Sequence, residues 1–203
     1  MYNNTKTINT GERQQPGISC AITLYAPSMN ALLKRNQKKS TLVFEQYASL
    51  YADTSLEPKT MMRFTLWQAE FIRKMHQAQT RLELSYANLN LTPIDMSSFN
   101  NCGYAHQIKV THPIVHTYLT TLQRIDNVLF RNHIHWIKGD ITQCVAENIN
   151  NQGCNIIKRA LNRLTHLVNQ SQLTNRGVYS DIALANLLGK TPQEIAGSMK
   201  QAK

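Results

Sequence analysis

"ISCAITLYAPSMNALLKRNQKKSTLVF", residues 18–44, begins with the pattern of a strand and ends with the pattern of a helix. From 18 to 25 the residues alternate. Ile18, Cys20, Ile22 and Leu24 fall on one face, and Ser19, Ala21, Thr23 and Tyr25 on the other. Pro27 or Ser28 then opens a helix, with Met29, Leu32 and Leu33 on its apolar side. The polar stretch RNQKK is expected to end that helix, and Ser40 or Thr41 to cap a second one. Val43, Phe44, Tyr47, Leu50 and Tyr51 form the buried stripe of this second helix. It should stop near Asp53, where Asp53, Thr54 and Ser55 favour a turn and Pro58 follows. A single strand cannot satisfy its own hydrogen-bond ladder. Either it pairs inside the chain, with residues 106–111 as the candidate, or it pairs with the same strand of a second copy.

The 203-residue chain as a whole limits what that unit can be attached to. Its length suits one domain with a small appendage, and a hydrophobic share of 42% suits a globular core. The first residues, MYNNTKTINTGERQQPG, are polar and lack the apolar core of a signal peptide. No run approaches a membrane helix, so a cytoplasmic protein with a flexible arm over 1–16 is expected. The net charge of +10 and the pI of about 9.6 favour a polyanionic partner, nucleic acid before membrane. Lys34, Arg35, Lys38 and Lys39 concentrate that charge within one short stretch. The four cysteines, Cys20, Cys102, Cys144 and Cys154, form no CxxC pair, which fits buried free thiols better than zinc or disulfides.

Beyond residue 56 the pattern is helical. Phe64, Trp67, Phe71, Met75, Ala78, Leu82, Tyr86 and Leu89 predict a long helix from Pro58, and residues 90–103 read as loop. "HQIKVT" (106–111) reads as a second short strand. Pro113 starts a helix carrying Val115, Tyr118, Leu122, Ile125, Leu129 and Trp136, which Gly139 breaks. Asp140 with Gln143 is expected to cap the next helix, and Gly153 to interrupt or end it. A further helix runs from about 155 to 169. In the tail, Ser180 caps a helix up to Gly189, and Thr191-Pro192-Gln193-Glu194 starts another.

A strand followed by two helices within about 35 residues is the ribbon-helix-helix pattern, in which the strands of two chains pair antiparallel and the ribbon they form enters the DNA major groove, so that β-strand pairing is expected to wait for an obligatory dimer. On that expectation Ser19, Ala21 and Thr23 face the bases, with Arg13 just upstream, while Lys34, Arg35, Lys38 and Lys39 meet phosphates. Ser40 and Thr41, at a helix start, would offer free backbone N–H groups to a further phosphate. The expected fold class is mainly α: an arm (1–16), a ribbon-helix-helix unit (17–55), and a helical body with a C-terminal hairpin (56–203). The expected function is sequence-specific binding of double-stranded DNA by a homodimer. Two alternatives stand beside it. One is a helical accessory or scaffold protein that touches nucleic acid without specificity. The other is a helix-turn-helix at 180–200. His112 and His116 are spaced like a zinc pair, but no third ligand follows. P-loop, GxSxG and HExxH motifs are absent, and the few acids are scattered, so neither an enzyme, a cofactor nor a metal is expected. Nothing in the sequence points to a small-molecule ligand.

Three stretches in order, "ITLYAPSMNALLKRN" (22–36), "FEQYASLYAD" (44–53) and "LTNRGVYSDIALANLLGKTPQEIAGSMK" (173–200), resemble the AcaB family of transcriptional regulators, found on conjugative plasmids and integrating conjugative elements. The likeness runs from about residue 18 to 200. It implies a dimeric ribbon-helix-helix DNA binder that activates conjugative-transfer genes.

Overall fold

The structure, a computed structural model, describes the backbone of residues 17–54, 58–95 and 103–172 and the side chains of 17–52, 61–95 and 103–169. The elements run β1 (Ile18–Leu24), α1 (Pro27–Thr54), α2 (Pro58–Ala87), β2 (Tyr104–Val110), α3 (Pro113–Lys138) and α4 (Gln143–Gln172). The chain is mainly α, with an N-terminal strand followed by helices as expected, and β2 overlaps the expected strand at 106–111, beginning two residues earlier and ending one earlier. The arm with Arg13, and the tail from 173 with its helix-turn-helix pattern, lie outside the described residues. Four long helices pack into a bundle in which α4 touches α1, α2 and α3. One continuous apolar core runs from Ile22 to Val168. No helix among the described residues is long and apolar enough to cross a membrane.

β1 and β2 pair antiparallel, with Ile18 opposite Val110, Ala21 opposite Gln107 and Leu24 opposite Tyr104. β1 thus takes its partner from its own chain, the first of the two arrangements the pattern left open. Its ladder does not require a second copy, so the expectation of a strand isolated until dimerisation is corrected. The alternation of β1 is the expected one: Ile22 and Leu24 are buried while Ser19, Ala21 and Thr23 are exposed. Ile18, at the end of the strand, is 78% exposed and adds nothing to the core.

The expected break between two helices does not exist. α1 is continuous from Pro27 to Thr54, straight through RNQKK. Arg, Gln and Lys are good helix formers, no Gly or Pro interrupts 28–54, and the buried stripe continues through Leu33, Ser40, Val43 and Phe44. Asn36 folds its amide back to the Leu32 carbonyl at 2.8 Å. Thr41 donates its hydroxyl to the Gln37 carbonyl at 3.1 Å, the back-bond of a mid-helix threonine rather than a cap. Gly153 is likewise no break, since α4 runs through it. A Cβ there would come within 2.8 Å of Leu129 Cδ2 and 3.0 Å of Ile125 Cγ2, so glycine lets α4 approach α3 closely. Gly139 does end α3, in the left-handed conformation at φ 81°. Thr142, not Asp140, caps α4 through the Val145 N–H at 3.4 Å. Asp140 instead holds His135 Nδ1 at 2.7 Å. Trp136 is 43% exposed and lies off the α3 core face.

Polar groups fix the ribbon to the bundle. Asp126 of α3, 1% exposed, accepts the Tyr25 N–H at 2.7 Å and the Ala26 N–H at 3.0 Å at the turn into α1. Burial outweighs these two bonds and pushes its carboxyl up to about 6. His106, on the inner face opposite Ile22, shares a hydrogen bond with Asn30 Oδ1 at 3.0 Å. Burial, then the nearby Lys34 charge, holds His106 below its ordinary value. The Thr111 hydroxyl donates to the Phe44 carbonyl at 3.1 Å and ties the far end of β2 to α1.

Candidate nucleic-acid interface

Residues directly opposite in an antiparallel pair point to the same side. The register therefore places Lys109, Gln107 and Ala105 beside Ser19, Ala21 and Thr23 on one face. Of these six, Ser19, Ala21, Thr23, Ala105 and Gln107 are exposed, and Lys109 is half-buried. Ser19 Oγ donates to Gln107 Oε1 at 3.0 Å, which holds the amide near the centre of the face. This supplies what β1 lacks by itself: a long side chain with both a donor and an acceptor. Gln107 and Lys109 were absent from the expected site. The alternation of HQIKV puts both on the polar side, but only the register joins that side to Ser19, Ala21 and Thr23.

The cation cluster is split rather than gathered. On a helix, residues four apart share a face, so α1 sends Lys34 and Lys38 one way and Arg35 and Lys39 another. Lys34 Nζ lies 5.8 Å from the Tyr104 ring centroid, beside the end of β2. Lys39 Nζ instead donates to Asn162 Oδ1 of α4 at 3.3 Å. Arg35 borders the groove between α1 and α4 together with Lys158. Lys109, at the edge of the ribbon, pairs with Glu45 of α1 at 3.5 Å, a partly exposed contact.

Ser40 and Thr41 do not form the expected phosphate site. Both lie in mid-helix, where their N–H groups belong to α1, and Ser40 is 4% exposed. A second basic region lies on the helices. Arg159 and Arg163 of α4 and Lys74 of α2 flank a groove beside Phe71. Arg163 stacks over the Phe71 ring at 5.8 Å. Glu70 holds Arg73 at 2.7 Å and Lys74 at 3.1 Å, and these two cations keep its carboxyl well below the usual range.

Of the two histidines at the start of α3, His112 has a structural task, and His116 is exposed. His112 Nδ1 accepts the Ile114 N–H at 3.1 Å as the N-cap of α3. Its ring also lies 4.4 Å from Tyr51 and 5.1 Å from Tyr47. Burial lowers its pKa, which favours the neutral ring that an accepting nitrogen requires. Among the described residues no group of three or more His, Cys, Asp or Glu could hold a metal ion.

No family model matches the chain, and no curated protein sequence matches it. Its fold is similar to the crystal structure of selenomethionine-containing AcaB from uropathogenic E. coli. The two share a TM-score of 0.62 and 10% sequence identity, over 87% of this chain and 99% of that one. At that identity the likeness is one of fold: this chain has an AcaB-like fold.

Proposed function

We propose that this protein is a DNA-binding transcription regulator whose β1–β2 ribbon lies in the major groove. The observation that carries the reading is the outer face of the ribbon, where Ser19, Ala21 and Thr23 stand beside Ala105 and Gln107. A two-stranded ribbon fits a groove about 12 Å wide, and seven residues of strand reach about 23 Å along it. The two alanines let the backbone come close. Gln107 offers the donor and acceptor that pair with adenine N7 and N6, and Thr23 offers a methyl to thymine and a hydroxyl to either base type. Lys34, beside the Tyr104 ring, Lys38, one turn along the same face of α1, and Lys109 meet phosphates, Lys109 exchanging Glu45 for the DNA backbone. The AcaB-like fold and the sequence resemblance support the finer reading: a homodimer that activates conjugative-transfer genes.

The helical body supports a second reading. Arg35, Lys39, Lys158, Arg159, Arg163 and Lys74 spread charge over α1, α4 and α2, away from the ribbon. Such a surface suits an accessory protein that holds DNA of any sequence. Footprinting on the parent element, followed by competition with random DNA, separates the two. The regulator reading expects a preference of at least about 10³ for the footprinted site. A ratio near one would replace it with the accessory reading.

A further inference from the structure

Between α1, α3 and α4 lies a cavity of about 220 Å³. Met29, Leu32, Leu33, Leu122 and Leu161 supply apolar lining. Arg35 and Lys158, both exposed, also border it, and no acidic residue is among the described side chains that do. Ser40 belongs to the wall. It is 4% exposed, and its hydroxyl has no hydrogen-bond partner. A buried hydroxyl without a partner is costly, and rotation of its side chain can present it to an acceptor inside the cavity. The cavity exceeds the roughly 150 Å³ that takes up a benzene ring. It falls short of the roughly 300 Å³ at which drug-sized sites begin.

We infer that this cavity binds a small organic carboxylate with a single ring or a short alkyl chain. The apolar part seats among the leucines. The carboxylate is held by the Arg35 guanidinium and the Lys158 ammonium, and it accepts the Ser40 hydroxyl. The distribution of polarity selects this class: a neutral apolar molecule leaves Ser40 unpaired, and a larger anion exceeds the space. Arg35 and Ser40 both lie on α1, the helix that Asn30 joins to the ribbon, so the occupant rests against the support of the candidate reading face.

The test is calorimetric titration of the full chain, without DNA, with benzoate and with hexanoate. Benzyl alcohol serves as the neutral ring of nearly equal size. Because DNA is absent, the outcome is independent of the regulator reading. At least one acid is expected to bind saturably at one site with a Kd of about 1 mM or tighter, and benzyl alcohol at least tenfold more weakly. The surface variant Arg35→Gln with Lys158→Gln, its fold checked by circular dichroism, should weaken binding by roughly tenfold or more. Ser40→Ala should weaken it several-fold without lowering the melting temperature. Absence of saturable binding by both acids, equal binding of the alcohol, or indifference to the double variant or to Ser40→Ala overturns the inference.

Discussion

The junction of the ribbon with α1 and the crossing of α3 over α4 are both buried, yet opposite means hold them. At the crossing, glycine removes a side chain so that Leu129 and Ile125 can lie against the α4 backbone at Gly153. At the junction, polar groups reach across the chain: Asp126 to the Tyr25 and Ala26 N–H groups, Asn30 to His106, and Thr111 to the Phe44 carbonyl. Apolar contacts tolerate small shifts, whereas hydrogen bonds fix direction. The crossing also carries one directional contact, Asn132 Nδ2 to the Ala146 carbonyl at 2.9 Å, but at the junction such contacts carry most of the fixing, as suits the proposed reading face, which has to be aimed.

The largest expected effect is at the crossing. Gly153→Leu forces a branched side chain where even a Cβ is too close, and should cost at least about 3 kcal/mol in urea unfolding. A loss under about 0.5 kcal/mol would mean that the helices do not approach as described. At the junction, Asp126→Ala leaves the buried Ala26 N–H and the part-buried Tyr25 N–H without their partner and should cost about 2 kcal/mol.

Asp126 also gives the junction a pH signature. Its folded pKa, about 6, is raised above the ordinary 3.8. The folded state therefore takes up its proton first as pH falls. The contribution of this group is fully present below pH 4 and is lost as pH rises through 6. Relative to Asp126→Asn, the wild type should gain up to roughly 3 kcal/mol of stability between pH 7 and pH 4. His106 acts oppositely, because its pKa is lowered: its contribution is present above its ordinary value of 6.5 and fades as pH falls. Subtracting the variant's curve from that of the wild type removes this term. A flat difference would show Asp126 ionised throughout.

Smaller effects follow on the two faces of the ribbon. Asn30→Ala strands a buried His106 nitrogen and should cost about 1 kcal/mol. On the outer face, Thr23→Ala should change stability by less than about 0.5 kcal/mol. Equal losses at these two positions would erase the distinction between an inner face that holds the ribbon and an outer face left exposed for the proposed base contacts.

The same contrast explains how much of the fold is legible in the sequence. Apolar periodicity locates β1, α2 and α3 with little error, since Ile22, Leu24, Phe64, Phe71, Val115 and Leu122 recur at the spacing of buried faces. The polar run RNQKK misleads because hydrophilicity suggests a turn, while Arg, Gln and Lys equally fill the outer side of a continuous helix. Gly153 misleads for a related reason: glycine marks a break or a close approach, and only the neighbouring helix tells which. Ser19, Ala21 and Thr23 are correctly placed on the outer face of β1. Gln107 and Lys109 are not joined to them by any local pattern, because the pairing spans more than eighty residues of chain. Asp126 as anchor of the Tyr25–Ala26 turn is equally distant in sequence.

In the proposed function the outer face of the ribbon reads bases while the cations beside it hold phosphates. The most direct measurement is the affinity of Gln107→Ala for the footprinted site and for random DNA, titrated from about 50 to 200 mM salt. Removing one bidentate base pairing should reduce the preference for the site by about 1–3 kcal/mol, with the slope of log K against log salt unchanged. Lys34→Ala with Lys38→Ala should do the reverse, lowering the magnitude of that slope by roughly 0.9 for each phosphate no longer neutralised and leaving the preference intact. A Gln107→Ala protein that stays folded and keeps its full preference for the site would contradict the account.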